Sequence, residues 1–365
     1  MKYLSLCSGI GGFELGMLKA YVDSTNRKKN KSRKKYKTEN DEARERLEPE
    51  AGKNSSSPER LTRKYTDLFR PGPEPLTCVG YAEIDKYAIQ IYERHFPSHK
   101  NYGDIRKIKT KELPDFDFLV AGFPCQSFSI AGKRLGFSDK RGELIFDIAR
   151  IIKDKKPKQF LLENVKGLIS HDDGRTFKTI ITTLTKLGYD IEWQVLNSKD
   201  FGIPQNRERV FIVGHLRRTG GRKIFPFGQA DPKAYKANEK GRARLECLYD
   251  GDYQSHRVYA KSGLSPTVPT SGGGHHIPLI APTLDANYAK GINVNPGHAS
   301  SSRGIQVNGR IRRLTPTECE RLQGFPEGWT KFGIEGEISD TQRYKTLGNA
   351  VTTNVVREII DSLIR

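Results

Sequence analysis

The residues best placed to do chemistry lie in G-F-P-C-Q-S-F-S-I-A-G-K at 122–133, where a single cysteine, Cys125, follows a proline. A thiolate there is a nucleophile able to form a covalent intermediate. Pro124 fixes its own φ and removes a backbone donor, so the thiol stands on a stiff turn. The run F-D-F-L-V-A before it reads as a short buried strand ended by Gly122 and Pro124. Cys125 therefore leaves the carboxyl end of a strand, the edge at which open α/β sheets bind ligands. On residue type alone it could equally be a small buried core cysteine. Two further features bear on the choice. Glu163 ends the apolar run F-L-L-E-N at 160–164 and should emerge on the same sheet edge, as a proton partner or as a solvated or capping carboxylate. Arg207 and Arg209, two apart in Q-N-R-E-R at 205–209, project the same way on an extended chain. They form either a pair of forks toward an anionic or carbonyl oxygen or a pair of surface arginines.

These groups need a frame. The opening Y-L-S-L at 3–6, then Gly9, Gly11 and Gly12, then F-E-L-G-M-L-K-A, reads strand, glycine turn, helix. Such a turn lets a nucleotide approach the backbone closely. An acidic residue ending the next strand, about 20 residues on, would hold a ribose. The candidate is Glu83, after T-C-V-G-Y-A, and the excess separation has a visible source. Residues 22–75 are polar and Lys/Arg-rich, including R-K-K-N-K-S-R-K-K-Y-K at 27–37, with little apolar periodicity. This segment reads as an insertion, largely disordered, with at most a short charged helix near 41–47. Helical spacing recurs at 85–96 (Ala88, Ile91, Tyr92, His95) and 143–154 (Ile145, Ile148, Ala149, Ile152), with Pro157 ending the second helix. On that pattern His95 is a packed or partly exposed residue rather than a ligand. R-V-F-I-V-G at 209–214 is a later strand. Strands alternating with helices predict a largely parallel, doubly wound α/β sheet covered on both faces. From about 216 to 310 glycine, serine, proline and basic residues dominate with no convincing helix, and order returns after 311, ending in the amphipathic V-T-T-N-V-V-R-E-I-I-D-S-L-I. The expected organisation is one domain of 1–215 plus 311–365, interrupted by a smaller, mainly β or irregular domain of 216–310.

Composition narrows the classes. The formal charge is +19 in 365 residues with a pI near 9.6, which suits a polyanionic partner. Cys7, Cys78, Cys125, Cys247 and Cys319 are scattered, with no C-x-x-C pair, against zinc and against a disulfide framework. No apolar run approaches the ~18 residues that span a bilayer, and the N-terminus lacks a signal-peptide core. A soluble, intracellular, metal-free monomer is expected.

From 122 to about 168 the chain closely resembles the catalytic core of the DNA (cytosine-5)-methyltransferases, in G-F-P-C-Q and then E-N-V at 163–165. The likeness extends to Q-N-R-E-R, to R-R-L-T-P-T-E-C-E-R-L-Q-G-F-P-E-G-W at 312–329 and to Y-K-T-L-G-N-A-V at 344–351. It implies a Rossmann-like S-adenosylmethionine-dependent methyltransferase sheet with a smaller target-recognition domain at 216–310. Cys125 would attack carbon 6 of a flipped-out cytosine, Glu163 would serve ring N3 and the 4-amino group, and Arg207 and Arg209 would line the base pocket. The cofactor would be held by Cys7, Ser8, Gly9, Gly11, Glu83 (ribose), Ile84, Asp104 (adenine), Ile105, Leu144, Asn349 and Val351. Thr283 and Leu284 match a recognition-domain pair that supports the target strand. The family usually has Phe where this chain has Cys7, and lacks the 22–75 insertion. Two rivals are an RNA-methylating branch, whose Cys-Phe-Thr element this sequence does not contain, and a catalytically silent DNA-binding regulator. The resemblance also implies duplex DNA as partner, a cognate restriction endonuclease in the same system without a stable complex, and a cytoplasmic, nucleoid-associated setting in a bacterium, archaeon or phage.

Overall fold

The computed structural model describes residues 1–40, 76–123, 144–227, 247–249, 258–260, 265–266, 279–281 and 312–364. Seven strands and seven helices carry the site. The strands are β1 (Lys2–Leu6), β2 (Thr77–Ala82), β3 (Phe118–Gly122), β4 (Gln159–Val165), β5 (Tyr189–Asn197), β6 (Gln205–Asn206) and β7 (Glu208–Leu216). The helices are α1 (Gly12–Asn40), α2 (Lys86–His95), α3 (Leu144–Lys155), α4 (Arg175–Lys186), α5 (Pro316–Gln323), α6 (Asp340–Asn349) and α7 (Thr353–Ile364). Six strands form one sheet in the order β2-β1-β3-β4-β7-β5.

The sheet is buried on both faces because its strands are apolar at successive positions. Leu4, Leu6, Leu119, Ala121, Phe160, Leu162, Val210 and Ile212 pack on α3 and α4 through Ile145, Ile148, Ile152, Ile180 and Leu184. The alternate residues Tyr3, Phe118, Val120, Leu161, Phe211 and Val213 pack on α1 and α7 through Met17, Ala20, Val355, Val356 and Ile359. This period-two division of one sheet between two helical layers is the doubly wound arrangement expected from the sequence.

The sheet is parallel only on one side. β1 pairs in parallel with β2 and β3, and β3 with β4, whereas β7 is antiparallel to both β4 and β5. The reason lies in the connection from β5 to β7: it holds a single 3-10 turn at Ser198–Phe201 and the two-residue β6. A return that short cannot accommodate the crossover that a parallel neighbour requires. Short strands at Cys247–Tyr249, Val258–Ala260, Leu279–Ala281 and Arg312–Arg313 form a separate four-stranded sheet, and Ser265–Pro266 pairs with β6. Thr283 and Leu284 lie outside the described residues.

Two expected boundaries are corrected. α1 does not end near 21; it continues as helix to Asn40, while 41–75 lie outside the described residues. Lys, Arg and Glu are good helix formers, and no Gly or Pro interrupts 17–40. The main body also runs past 215: Ile224, Phe225 and Phe227 donate backbone N–H bonds to the side chains of Glu192 and Gln194 on β5 at 2.8–3.1 Å.

Candidate active site

β1 lies between β2 and β3, so the connections from β1 and β3 diverge and leave a crevice at their carboxyl ends. A cavity of about 370 Å³ occupies it, within the size range of a small-molecule site. Its wall contains Cys7, Gly9, Glu83, Ile84, Asp104, Ile105, Leu144 and Asn349 on one side and Glu163, Arg207 and Arg209 on the other. The two clusters read separately from the sequence therefore share one chamber. Ser8, Gly11 and Val351 do not line it. Ser8 is buried beneath the turn, and Val351 packs in the core against Gly12. Gly11 has φ +84°, and a Cβ there would lie 2.5 Å from the Phe96 ring, so the turn closes only with glycine. Cys125 lies outside the described residues; the chain leading to it is placed as far as Phe123.

The cofactor side is built on carboxylates that organise backbone. Glu83 accepts from the N–H of Gly9 at 2.9 Å, Ile84 at 2.8 Å and Asp85 at 2.9 Å, locking the glycine turn to the end of β2. Asp104 caps a one-turn helix through the N–H of Arg106, and the Arg106 guanidinium grips both its oxygens, the closest at 2.6 Å. That fork holds the Asp104 carboxyl below its ordinary range. Burial, aided by the charges of Glu83 and Asp104, pushes the Cys7 thiol well above its ordinary range, so Cys7 is neutral and weakly reactive. Ile84 is 67% exposed at the wall of this chamber, an apolar side chain open to a flat ligand.

On the other side Glu163 sits opposite Gly122 in the parallel β3–β4 ladder, so it stands beside the strand end that leads to Pro124 and Cys125. Arg209 Nε lies 3.2 Å from Glu163 Oε1, and the two side chains are only 15% and 12% exposed. Burial pushes the Glu163 carboxyl up, and the Arg209 and Arg207 guanidiniums oppose it without cancelling it. Asn164 Nδ2 donates to the carbonyl oxygen of Phe123 at 3.1 Å, fixing the chain two residues before Cys125. The two arginines differ in what they hold. Arg207, 2% exposed, donates from Nη2 to the carbonyls of Gly348 and Ala350 at 3.0 and 2.9 Å, clamping the turn that carries Asn349.

Sequence reasoning missed three supports. Arg106 holds Asp104, Asn197 Oδ1 accepts from the Arg207 N–H at 3.1 Å, and Trp329 Nε1 donates to the Ile10 carbonyl at 2.9 Å inside the glycine turn. Arg106, two residues after Asp104, carries the clearest local signal, because a following cation commonly answers a capping carboxylate. Asn197 and Trp329 act on backbone atoms far along the chain and leave no local pattern. Among the described residues no group of three or more His, Cys, Asp or Glu is placed to hold a metal ion, and no helix is long and apolar enough to cross a membrane.

Residues 68–365 match the family model described as C-5 cytosine-specific DNA methylase. The chain is 42% identical over 321 residues to the Type II methyltransferase M1.ScrFI of Lactococcus lactis subsp. cremoris, covering 84% of this chain and 79% of that one. It is 39% identical over 301 residues to the Type II methyltransferase M.HhaI of Haemophilus parahaemolyticus, covering 77% and 86%. The crystal structure of the S. pombe Dnmt2 methyltransferase shares the fold with a TM-score of 0.64 at 19% identity, over 100% of this chain and 98% of that one. The chain belongs to the C-5 cytosine-specific DNA methylase family. It is a DNA (cytosine-5)-methyltransferase.

Proposed function

We propose that this enzyme takes its methyl group from S-adenosylmethionine and delivers it through a covalent adduct between Cys125 and carbon 6 of a cytosine swung out of duplex DNA. The observation that carries this reading is the Glu163–Arg209 pair, standing beside the strand end that leads to Cys125 and facing the same chamber as Glu83 and Asp104. The residues of the other wall fit such a cofactor. Glu83 uses its carboxylate on three N–H groups, two on Oε1 and one on Oε2, and keeps one acceptor position on Oε2 for a ribose hydroxyl, because each oxygen has two lone pairs. Asp104, both of whose oxygens already accept from Arg106, would take an adenine amino group only by sharing or releasing one of those bonds, and Ile84 and Leu144 offer apolar surface to its ring. The bound cofactor supplies an electrophilic methyl group.

The protein side of the reaction follows from charge. Addition of the Cys125 thiolate to carbon 6 pushes electrons onto the pyrimidine, and Glu163, whose proton affinity burial raises, can give a proton to N3 while accepting from the 4-amino group. Carbon 5 would then be nucleophilic enough to take the methyl group, the methyl–sulfur bond breaking as the new carbon–carbon bond forms and the sulfur leaving as a neutral thioether. Loss of the carbon 5 proton to water, return of the N3 proton to Glu163 and expulsion of the thiolate would restore the ring and the enzyme. Arg209 keeps the Glu163 carboxyl aimed, and Arg207 holds the Asn349 turn against the same chamber. A cytosine inside a helix cannot reach this chamber, so the base must be extruded at a cost of a few kcal/mol.

The test is methyl transfer from labelled cofactor to duplex DNA and to tRNA, followed by digestion to nucleosides. Label in 5-methylcytosine from duplex DNA is expected; label in another methylated base, or from tRNA alone, overturns the reading.

A further inference from the structure

Asn349 reaches the chamber from the turn between α6 and α7, and the carbonyls of that turn are gripped from two directions. Arg207 takes those of Gly348 and Ala350. The carbonyl of Leu347 accepts from Gln323 Nε2 at 3.1 Å. Gln323 is the last residue of α5 and is fully buried. Its footing is firm. The next residue, Gly324, closes α5 in the left-handed region at φ +77°, and its carbonyl accepts from Lys19 Nζ on α1 at 2.6 Å and from Thr353 Oγ1 on α7 at 2.8 Å.

The sense of each hydrogen bond beyond Gln323 follows by elimination. A carbonyl only accepts, so the amide nitrogen faces Leu347 and the amide oxygen faces the other way. There it accepts from the Thr352 hydroxyl at 2.9 Å. That hydroxyl has its single proton committed, so Ser198 Oγ, 2.8 Å away, is the donor to it. The Ser198 N–H donates to the Arg207 carbonyl at 3.0 Å, with Ser198 Oγ a weaker 3.4 Å from the same oxygen. A closed ring results: Gln323, Thr352, Ser198, Arg207 and back to the Asn349 turn. All four side chains are at most 3% exposed. Thr352 stands just before α7, where a hydroxyl ordinarily caps the first N–H groups of a helix. Here it is turned to Gln323 instead, and its carbonyl accepts from Val355 and Val356.

We propose that Gln323 is a positioning residue for cofactor binding: acting through Thr352, it holds the Asn349 turn at a fixed spacing from the strand that carries Arg207 and Arg209. A buried polar ring with its bonds made rigidifies what it joins. Neither Gln323 nor Thr352 lines the chamber, so both act through Asn349. Loosening the ring should weaken cofactor binding more than chemistry, because Glu163 and its Arg209 partner keep their places.

This inference rests on the S-adenosylmethionine reading, and its test therefore begins with binding in the absence of DNA. The dissociation constant of S-adenosylhomocysteine, the demethylated cofactor, is measured by calorimetry for wild type, Gln323→Met, Thr352→Val, Thr352→Ser and the double variant Gln323→Met, Thr352→Val. Methionine and valine keep the approximate shape and lose the bonds. Each should weaken binding by roughly tenfold, the scale of a broken buried hydrogen bond. The double variant should be no weaker than the worse single one, since both cut the same ring. Thr352→Ser retains the hydroxyl and should bind like wild type. In the transfer assay the KM for S-adenosylmethionine should rise in parallel, with kcat at saturation little changed. A wild type that does not bind S-adenosylhomocysteine overturns the cofactor reading and this inference together. Wild-type affinity in Gln323→Met and Thr352→Val, whatever their denaturant midpoints, or equal losses in Thr352→Ser and Thr352→Val, overturns this inference alone.

Discussion

At the scale of single residues the account turns on carboxyl groups whose proton affinity burial has raised. Glu163 must be protonated to assist electron flow onto the ring, so turnover should fall as pH rises through its raised pKa. Glu163→Gln retains a donor but cannot transfer a proton, and should lower kcat by about 10²–10⁴ while removing that alkaline limb. A pH–rate profile of the variant that kept the limb would assign it to another group. Glu14 provides a second case, away from the chemistry. It is fully buried in α1, accepts from the Tyr92 hydroxyl at 3.0 Å, and burial raises its pKa to about 7. Its folded pKa is raised above its unfolded value, so the native state holds the extra proton below about pH 7. Stability is therefore greatest at acidic pH and declines as pH rises through that value, by an amount on the order of 3 kcal/mol. Glu14→Gln should flatten this slope and be the more stable protein at pH 8; denaturant midpoints measured from pH 5 to 8 check it. The position of Glu163 at the end of an apolar strand beside the cysteine loop was legible in the sequence, whereas its proposed role came from the family resemblance, since a carboxylate there could as well be solvated or capping. The clamp role of Arg207 was not, because its partners are carbonyls at Gly348 and Ala350 that only the folded chain brings near.

Among the elements, β1 to β4, β7, α1, α2, α3 and α7 were readable from periodicity, since each presents a continuous or alternating apolar pattern to a buried layer, whereas β5, β6 and α4 to α6 were not singled out. The direction of β7 was not readable from its own residues, which suit either pairing; the short β5–β7 connection decides it. α1 misled for a different reason. Its polar half has no stripe to bury, yet it is seeded by an apolar half packed on α7 and need only propagate. The segment at 312–329, which resembles a family motif, also matters as an element because it delivers Trp329. His95 stacks on that indole at 3.5 Å, and the indole N–H reaches the carbonyl of Ile10. Trp329 thus braces the glycine turn from the C-terminal part of the chain. Trp329→Phe keeps most of the packing and deletes the bond, leaving a buried carbonyl unpaired at about 1–3 kcal/mol. We expect a several-fold higher KM for S-adenosylmethionine with kcat little changed; an unchanged KM would limit Trp329 to packing.

At the scale of the whole molecule, a sheet split between parallel and antiparallel halves sets two differently built walls around one chamber. The parallel half, with its βα turns, positions Glu83 and Asp104; the junction with the antiparallel half positions Glu163 and Arg209. The chemistry needs both, because methyl donor and ring must meet within bonding distance. Cys125 is proposed as the nucleophile that adds to carbon 6 and readies the ring for the methyl group, and covalent capture measures this directly. Duplex DNA carrying 5-fluorocytosine at the target is incubated with enzyme and S-adenosylmethionine, and the adduct is digested and mapped by mass spectrometry. Fluorine cannot leave as a proton does, so elimination fails and the complex persists. The account predicts one adduct, on the peptide containing Cys125, absent in Cys125→Ser although that variant still binds DNA. An adduct on any other residue, or one that survives in Cys125→Ser, would contradict it.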